Sequence, residues 1–183
     1  MNYNSVLGKD WISKTFNDEK VKFLKENFNL SDTLSKLIAI RNIKLEDVKM
    51  HLEPKIKNFL PNPFILKDME KTVLRTIKAI INNEKIGIFG DYDVDGATST
   101  AILGNYFKEI GREIEIYIPD RKTEGYGPSK KAFNKLILNG SNLIFTVDCG
   151  TLSFETINYS RTKNIDVIVL DHHQAEANLP NAY

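Results

Sequence analysis

Asp91, Asp93 and Asp95 alternate through GDYDVDG, Asp148 stands in TVDCGT, and Asp171, His172 and His173 run consecutively in LDHHQ. Brought to one place, four or more such like charges repel strongly, and bound cations are the natural compensation. Carboxylates mixed with imidazole favour Mn2+, Mg2+ or a related divalent ion over a thiolate-type zinc site. The single cysteine, Cys149, excludes an intrachain disulfide and a multi-cysteine metal site, and reads as a small core residue. The donors suffice for two ions, and a pair can hold both the attacking and the leaving oxygen of a phosphoester.

The elements that must deliver these groups follow from the apolar pattern. Beyond FLPNPF, an amphipathic helix is expected over about 67–82. Short apolar runs then alternate with helical ones: Ile86–Phe89, a helix over about 97–110, Glu113–Ile118, a helix over 129–139, Leu143–Val147, a helix through 156–161, and Asp166–Leu170. This is an α/β pattern, a parallel sheet with helices on both faces, whose ligands bind beyond the carboxyl ends of the strands. Three strand ends then carry the three acidic stretches to one edge. Residues 1–60 read as a helical region of three short helices, with Ser31 as an N-cap and Pro54 ending the third, and 61–183 as the α/β domain. A DNA-reading helix-turn-helix over 31–52 has no identifiable recognition helix.

Blander readings compete for each stretch. Asp91 to Gly96 matches the opening of an EF-hand loop, but Ile102 stands where the bidentate Glu belongs. An apolar strand followed by Asp-x-Asp also suits haloacid-dehalogenase phosphatases, which leaves the Asp171-His172-His173 run without a role. Alone, Asp148 would be a capping or turn residue and the histidines surface residues of a loop. Their place at neighbouring strand ends promotes them to a site.

Composition limits the partners. With 25 Lys and Arg against 24 Asp and Glu, the net charge of +1 gives no general argument for a polyanionic partner. Neither a signal-peptide pattern nor an apolar run of ~18 residues is present, so no membrane association and a cytoplasmic location are expected.

GDYDVDG, TVDCGT and LDHHQ, in this order and spacing, resemble the three leading motifs of the DHH phosphoesterases. FGDYDVDGATSTAIL, PDRKTEGYGPS and DHHQAEANLP narrow the resemblance to the RecJ-type single-strand-DNA exonucleases, over about 54–183. The resemblance implies metal ligation by Asp93, Asp95, Asp148 and His172, with Asp148 bridging two Mn2+ or Mg2+ ions. It puts His173 against the scissile phosphate, Asp91 in a supporting role beside the ligands, and Asp171 in fixing the loop or an imidazole. The implied activity is metal-dependent phosphodiester hydrolysis, 5′-to-3′ on single-stranded DNA in recombination and repair. Single-strand-binding protein and a helicase are the implied partners.

Two further segments could reach substrate. In PDRKTEGYGPSK, Arg121 and Lys122 can contact phosphates, Gly125 and Gly127 let the main chain approach closely, and Tyr126 offers a face to a base or sugar. Thr98 and Ser99 fall at the expected opening of a helix, where free N–H groups favour an anion. The sequence stops shortly after the third motif, before the family's fourth motif, glycine-rich second domain and OB-fold. It is therefore expected to be an N-terminal fragment, truncated within the DHH domain, whose activity alone is in question. An oligoribonucleotide or cyclic-dinucleotide phosphodiesterase, and a non-catalytic nucleic-acid- or partner-binding module, are the alternatives.

Overall fold

Polar residues at the helix ends set out the first elements of the chain. In the computed structural model, which describes Tyr3, Asn4 and residues 6–183, the first unit is Met1–Pro63. Strands β1 (Tyr3–Asn4) and β2 (Asp10–Trp11) pair antiparallel. Helix α1 (Asp18–Phe28) starts where the Asn17 side chain accepts from the Lys20 N–H (2.9 Å) and stops at Asn29, in the left-handed conformation. Helix α2 (Asp32–Ile40) is capped by Ser31, whose hydroxyl accepts from the Leu34 N–H at 3.3 Å. A 3-10 turn, Leu45–Asp47, leads into α3 (Val48–Leu52), which ends ahead of Pro54 because the residue before a proline is steered out of the helical region. A single turn, α4 (Ile56–Phe59), adds an element that sequence periodicity is too short to reveal. Leu24, Ile38 and Val48 form a small core with Phe28, Leu30, Ile43 and Leu52.

The second unit, Phe64–Tyr183, alternates helix and strand throughout. Its elements are α5 (Met69–Ile81), β3 (Ile86–Gly90), α6 (Val94–Glu109), β4 (Ile114–Tyr117), α7 (Lys130–Leu138), β5 (Leu143–Val147), α8 (Phe154–Thr162) and β6 (Asp166–Leu170). The four strands form one parallel sheet in the order β4-β3-β5-β6. This is the α/β class that the sequence pattern implies.

Alternate strand residues supply two cores, one on each face. Ile86, Ile88, Leu143, Phe145, Val147 and Ile168 pack with Ala79 of α5 and Phe107 of α6. Phe89, Ile144 and Val167 pack instead with Ala132, Phe133 and Leu136 of α7 and Ile157 of α8. Central strands β3 and β5 are buried along their whole length, which is why they read as unbroken apolar runs.

The boundaries correct the sequence reading in one place that matters for function. Helix α6 opens at Val94, one turn before the expected Ala97, because Asp93 serves as its N-cap and accepts from the Gly96 N–H (3.0 Å). An acidic motif residue is thus also a cap, a dual use that apolar periodicity does not reveal.

Candidate metal centre

Strand register brings the motifs together. Gly90 pairs with Val147 and Val147 with Leu170, so the next residue of each strand, Asp91, Asp148 and Asp171, leaves the sheet at the same level. Backbone bonds carry the ladder one step further, from Asp91 N to Val147 O (3.4 Å) and from Asp148 N to Leu170 O (2.9 Å).

Two glycines let the first motif fold back on its strand. A Cβ on Gly96 would overlap the Asp91 backbone, and one on Gly90 would overlap the Thr100 side chain. Only with both positions bare can the first turn of α6 lie against the end of β3 and hold Asp91 and Asp93 over the sheet edge.

Asp148 takes a left-handed conformation (φ 60), which Asp tolerates better than most residues. Its side chain is buried, with Asp93 on one side and the His172 Nε2 at 3.0 Å from Oδ1 on the other. Burial raises the Asp148 pKa, the neighbouring Asp93 raises it further, and His172 only partly offsets them. Asp93 is held below its ordinary value, chiefly by the Gly96 N–H.

Asp171 plays a different part. Its Oδ2 accepts from the Thr151 N–H (3.0 Å), and its Oδ1 accepts from the His173 N–H (3.1 Å) and lies 2.7 Å from the His173 Nδ1. Burial opposes its ionisation, yet these bonds bring its pKa down to about 2, while the carboxylate raises the pKa of His173. With Nδ1 engaged, His173 has Nε2 free for another partner.

Donor atoms come within 4.8 Å of one another in two groups among the described residues, Asp91 with Asp93 and Asp148, and Asp148 with His172 and His173. Asp148 is common to both. Asp95 lies in the exposed first turn of α6 and is not brought into either group. No Lys or Arg pairs with Asp91, Asp93 or Asp148 within 4.0 Å among the described residues, so the crowding is not relieved from within the chain. Oxygen and imidazole donors without thiolate suit Mn2+ or Mg2+. The Cys149 thiol is buried, points to the Val147 carbonyl and is pushed up in pKa by desolvation.

The remaining residues singled out in the sequence divide between near and far. Tyr126 reaches the centre, its hydroxyl 3.4 Å from both the Asp148 carbonyl and the His173 Nδ1. Arg121 lies over the Tyr92 ring at 5.3 Å, beside the first motif. Lys122 is exposed, and Gly125 and Gly127 take positive φ with open space where a Cβ would stand. Thr98 and Ser99 sit in the second turn of α6, and the Thr98 hydroxyl donates back to the Val94 carbonyl (2.7 Å). Sequence reasoning passed over Tyr117 and Glu124, which brace the Arg121 loop. The signal is an acidic pair, Asp120 and Glu124, four residues apart in a segment whose basic, glycine and tyrosine residues alone suggest substrate contact.

Fold and donor set together define a class, a parallel α/β domain with a carboxylate–imidazole centre at the carboxyl edge of its sheet. The model of the DHH family, N-terminal domain, matches residues 85–183, and the chain belongs to that family. It is 34% identical to the single-stranded-DNA-specific exonuclease RecJ of Bacillus subtilis over 93% of this chain and 22% of the relative. It is 35% identical to that of Haemophilus influenzae over 85% of this chain and 26% of the relative. The chain thus spans about a quarter of the length of the curated relatives it matches. A crystal structure of exonuclease RecJ bound to manganese matches 67% of this chain and 31% of its own, with a TM-score of 0.61 and 32% identity. RecJ from Thermus thermophilus in complex with Mn2+ matches 91% of this chain and 23% of its own, with a TM-score of 0.66 and 23% identity. Among the described residues, no helix is long and apolar enough to cross a membrane.

Proposed function

We propose that this chain carries the first three motifs of a divalent-metal phosphodiesterase centre, and that the centre serves a 5′-to-3′ exonuclease acting on single-stranded DNA in recombination and repair. The observation that carries the reading is the convergence of Asp91, Asp93, Asp148, His172 and His173 on one sheet edge, with no Lys or Arg within 4.0 Å of Asp91, Asp93 or Asp148 among the described residues. The DNA substrate follows the relatives, which are named for that activity. Partnership with single-strand-binding protein and a helicase, and a cytoplasmic location, rest on the family resemblance alone.

Asp93, Asp148 and His172 would hold Mn2+ or Mg2+, with Asp148 shared between two ions; Asp91, expected only in a supporting role, offers a further donor oxygen, whereas Asp95, expected as a ligand, belongs to neither donor group among the described residues. Bound there, the ions would neutralise charge building on the phosphate and lower the pKa of an attacking water. Asp171 fixes the His173 tautomer through Nδ1, so that His173 can place Nε2 against a phosphate oxygen and stabilise the leaving group. Arg121 and Lys122 would meet neighbouring phosphates and Tyr126 a sugar or base, while Gly125 and Gly127 supply the positive φ that the turns of this loop require and leave open space for substrate to approach the main chain. Thr98, exposed in the second turn of α6, and Ser99, half-buried beside it, would make weaker substrate contacts.

Calorimetric titration of the 183-residue chain with Mn2+ tests the centre, and hydrolysis of a 5′-phosphorylated single strand tests the activity. The reading requires saturable Mn2+ binding that Asp148→Asn abolishes; equal binding by the two proteins would refute it.

A further inference from the structure

Resting on the reading of the site just given, we propose that Glu124 is a positioning residue, one that locks the loop from Asp120 to Gly127 so that Arg121 and Tyr126 are presented to the centre before substrate arrives.

Glu124 touches no metal donor, but both its oxygens are used. Oε2 accepts from the Tyr117 hydroxyl at 2.5 Å and Oε1 accepts from the Asp120 N–H at 3.1 Å, while the Glu124 N–H donates to the Asp120 carbonyl (2.9 Å). Asp120 completes the brace, its Oδ1 accepting from the Lys122 N–H, the Thr123 N–H and the Thr123 hydroxyl. Loops held by this many internal bonds open rarely, and a side chain carried on one loses little freedom on binding.

The anchor of this brace is itself fixed. Tyr117 ends strand β4, and its ring stacks on Phe89 of β3 with centroids 5.8 Å apart and planes 12° apart, while the Lys135 ammonium lies over it at 4.9 Å. Phe89 is fully buried one residue before the Gly90-Asp91 turn. Glu124 thus ties the loop to the strand pair that also delivers the first motif. On the far side of the brace, Arg121 lies over Tyr92 and the Tyr126 hydroxyl meets Asp148 and His173. Arg121 beside the first motif and Tyr126 against the donors stand at opposite ends of one braced segment. Such a device suits a substrate with a phosphate at each end of the contact, as a nucleotide strand has.

Trypsin reads the loop directly, because Arg121 and Lys122 are its cleavage sites. In Glu124→Ala, cleavage after these residues is expected to accelerate about tenfold as the loop opens. Mn2+ affinity should stay within about twofold, and binding of a 5′-phosphorylated oligonucleotide should weaken about tenfold. Arg121→Ala should weaken the oligonucleotide by a similar factor, and the double variant by less than the product of the two, since Glu124 acts in part through Arg121. Tyr117→Phe keeps the ring stack, loses one bond and should fall between, and Glu124→Gln, which still offers an acceptor, should restore most of the protection. An unchanged cleavage rate in Glu124→Ala would overturn the inference. Faster cleavage with unaltered oligonucleotide affinity would also overturn it if Arg121→Ala does weaken the oligonucleotide, whereas no effect of either variant on the oligonucleotide would count against the single-strand reading of the site instead.

Discussion

The two edges of the parallel sheet treat their acidic residues in opposite ways. At the amino edge each carboxylate has a cation from this chain: Arg75 pairs with Glu84 (2.7 Å) and with Asp166 (2.5 Å), and Lys85 pairs with Glu113 (3.0 Å) and Glu115 (3.5 Å). At the carboxyl edge Asp91, Asp93 and Asp148 crowd together beside imidazoles, with no Lys or Arg within 4.0 Å among the described residues. Both edges belong to the same strands, so the fold does not dictate the difference. Charges neutralised internally hold a structure together; charges left to crowd are set aside for something that comes from outside. The contrast separates scaffold from site without any appeal to the motifs.

Breaking the amino edge should produce the largest loss of stability. Arg75→Met removes a buried guanidinium and leaves Glu84 and Asp166 without their partner. Chemical unfolding of the metal-free protein should show a loss of about 3 kcal/mol, the low end for a broken buried pair because Asp166 is partly exposed. The Mn2+ affinity of the folded fraction should not change.

Asp148→Asn should do the reverse. Metal affinity is expected to fall by more than about a hundredfold, since the group common to both donor sets is lost. Stability without metal should hold or rise. Because the folded-state pKa of Asp148 is raised, its ionised form costs the metal-free fold stability at neutral pH, a cost relieved as pH falls through that pKa. Asn accepts the left-handed backbone and removes the charge. A destabilised metal-free variant would show that the two edges are alike.

Much of this contrast was legible in the sequence, and the gaps have physical causes. Strands β5 and β6 begin and end where their apolar runs do, and β3 extends one glycine further, because buried parallel strands admit little else. The three acidic strand ends follow from those runs and from parallel pairing. Their common level required the register, which no local pattern encodes. The start of α6 was misplaced by a turn because Asp93 looked like chemistry rather than a cap. Arg75 stood among apolar residues of a helix and gave no sign that its partners lie 9 and 91 residues away. Glu124 was hidden for the same reason, its value set by Tyr117 on another element.

Gly96→Ala offers an intermediate effect that links the edges to the backbone. A methyl group there must push the first turn of α6 off Asp91, which should cost about 2 kcal/mol as overpacking does. Because Asp91 and Asp93 move with that turn, Mn2+ affinity should fall together with stability, whereas Arg75→Met lowers stability alone. Melting curves and Mn2+ titrations of the two variants separate the cases. Loss of stability with full metal affinity in Gly96→Ala would mean that α6 does not set the donor geometry.

The smallest expected effect is a dependence on pH that only the carboxyl edge should show. Asp171 has its pKa depressed to about 2, so its contribution is complete above the ordinary carboxylate value and is lost as pH falls towards 2. His173 has a raised pKa, so its contribution is complete below about 6.5 and is lost as pH rises through the raised value. The pair therefore stabilises the metal-free protein most between about pH 4 and 6.5. Melting temperatures of the wild type and Asp171→Asn in chelator should differ most inside that window and draw closer both below it, as pH falls towards 2, and above it, as pH rises through the raised His173 value and the neutral ring keeps only a hydrogen bond. Arg75 stays charged throughout, so Arg75→Met should differ from the wild type by a nearly constant amount over the same range. A constant offset for Asp171→Asn as well would mean that Asp171 acts through Thr151 alone, and that His173 is not held by it in solution.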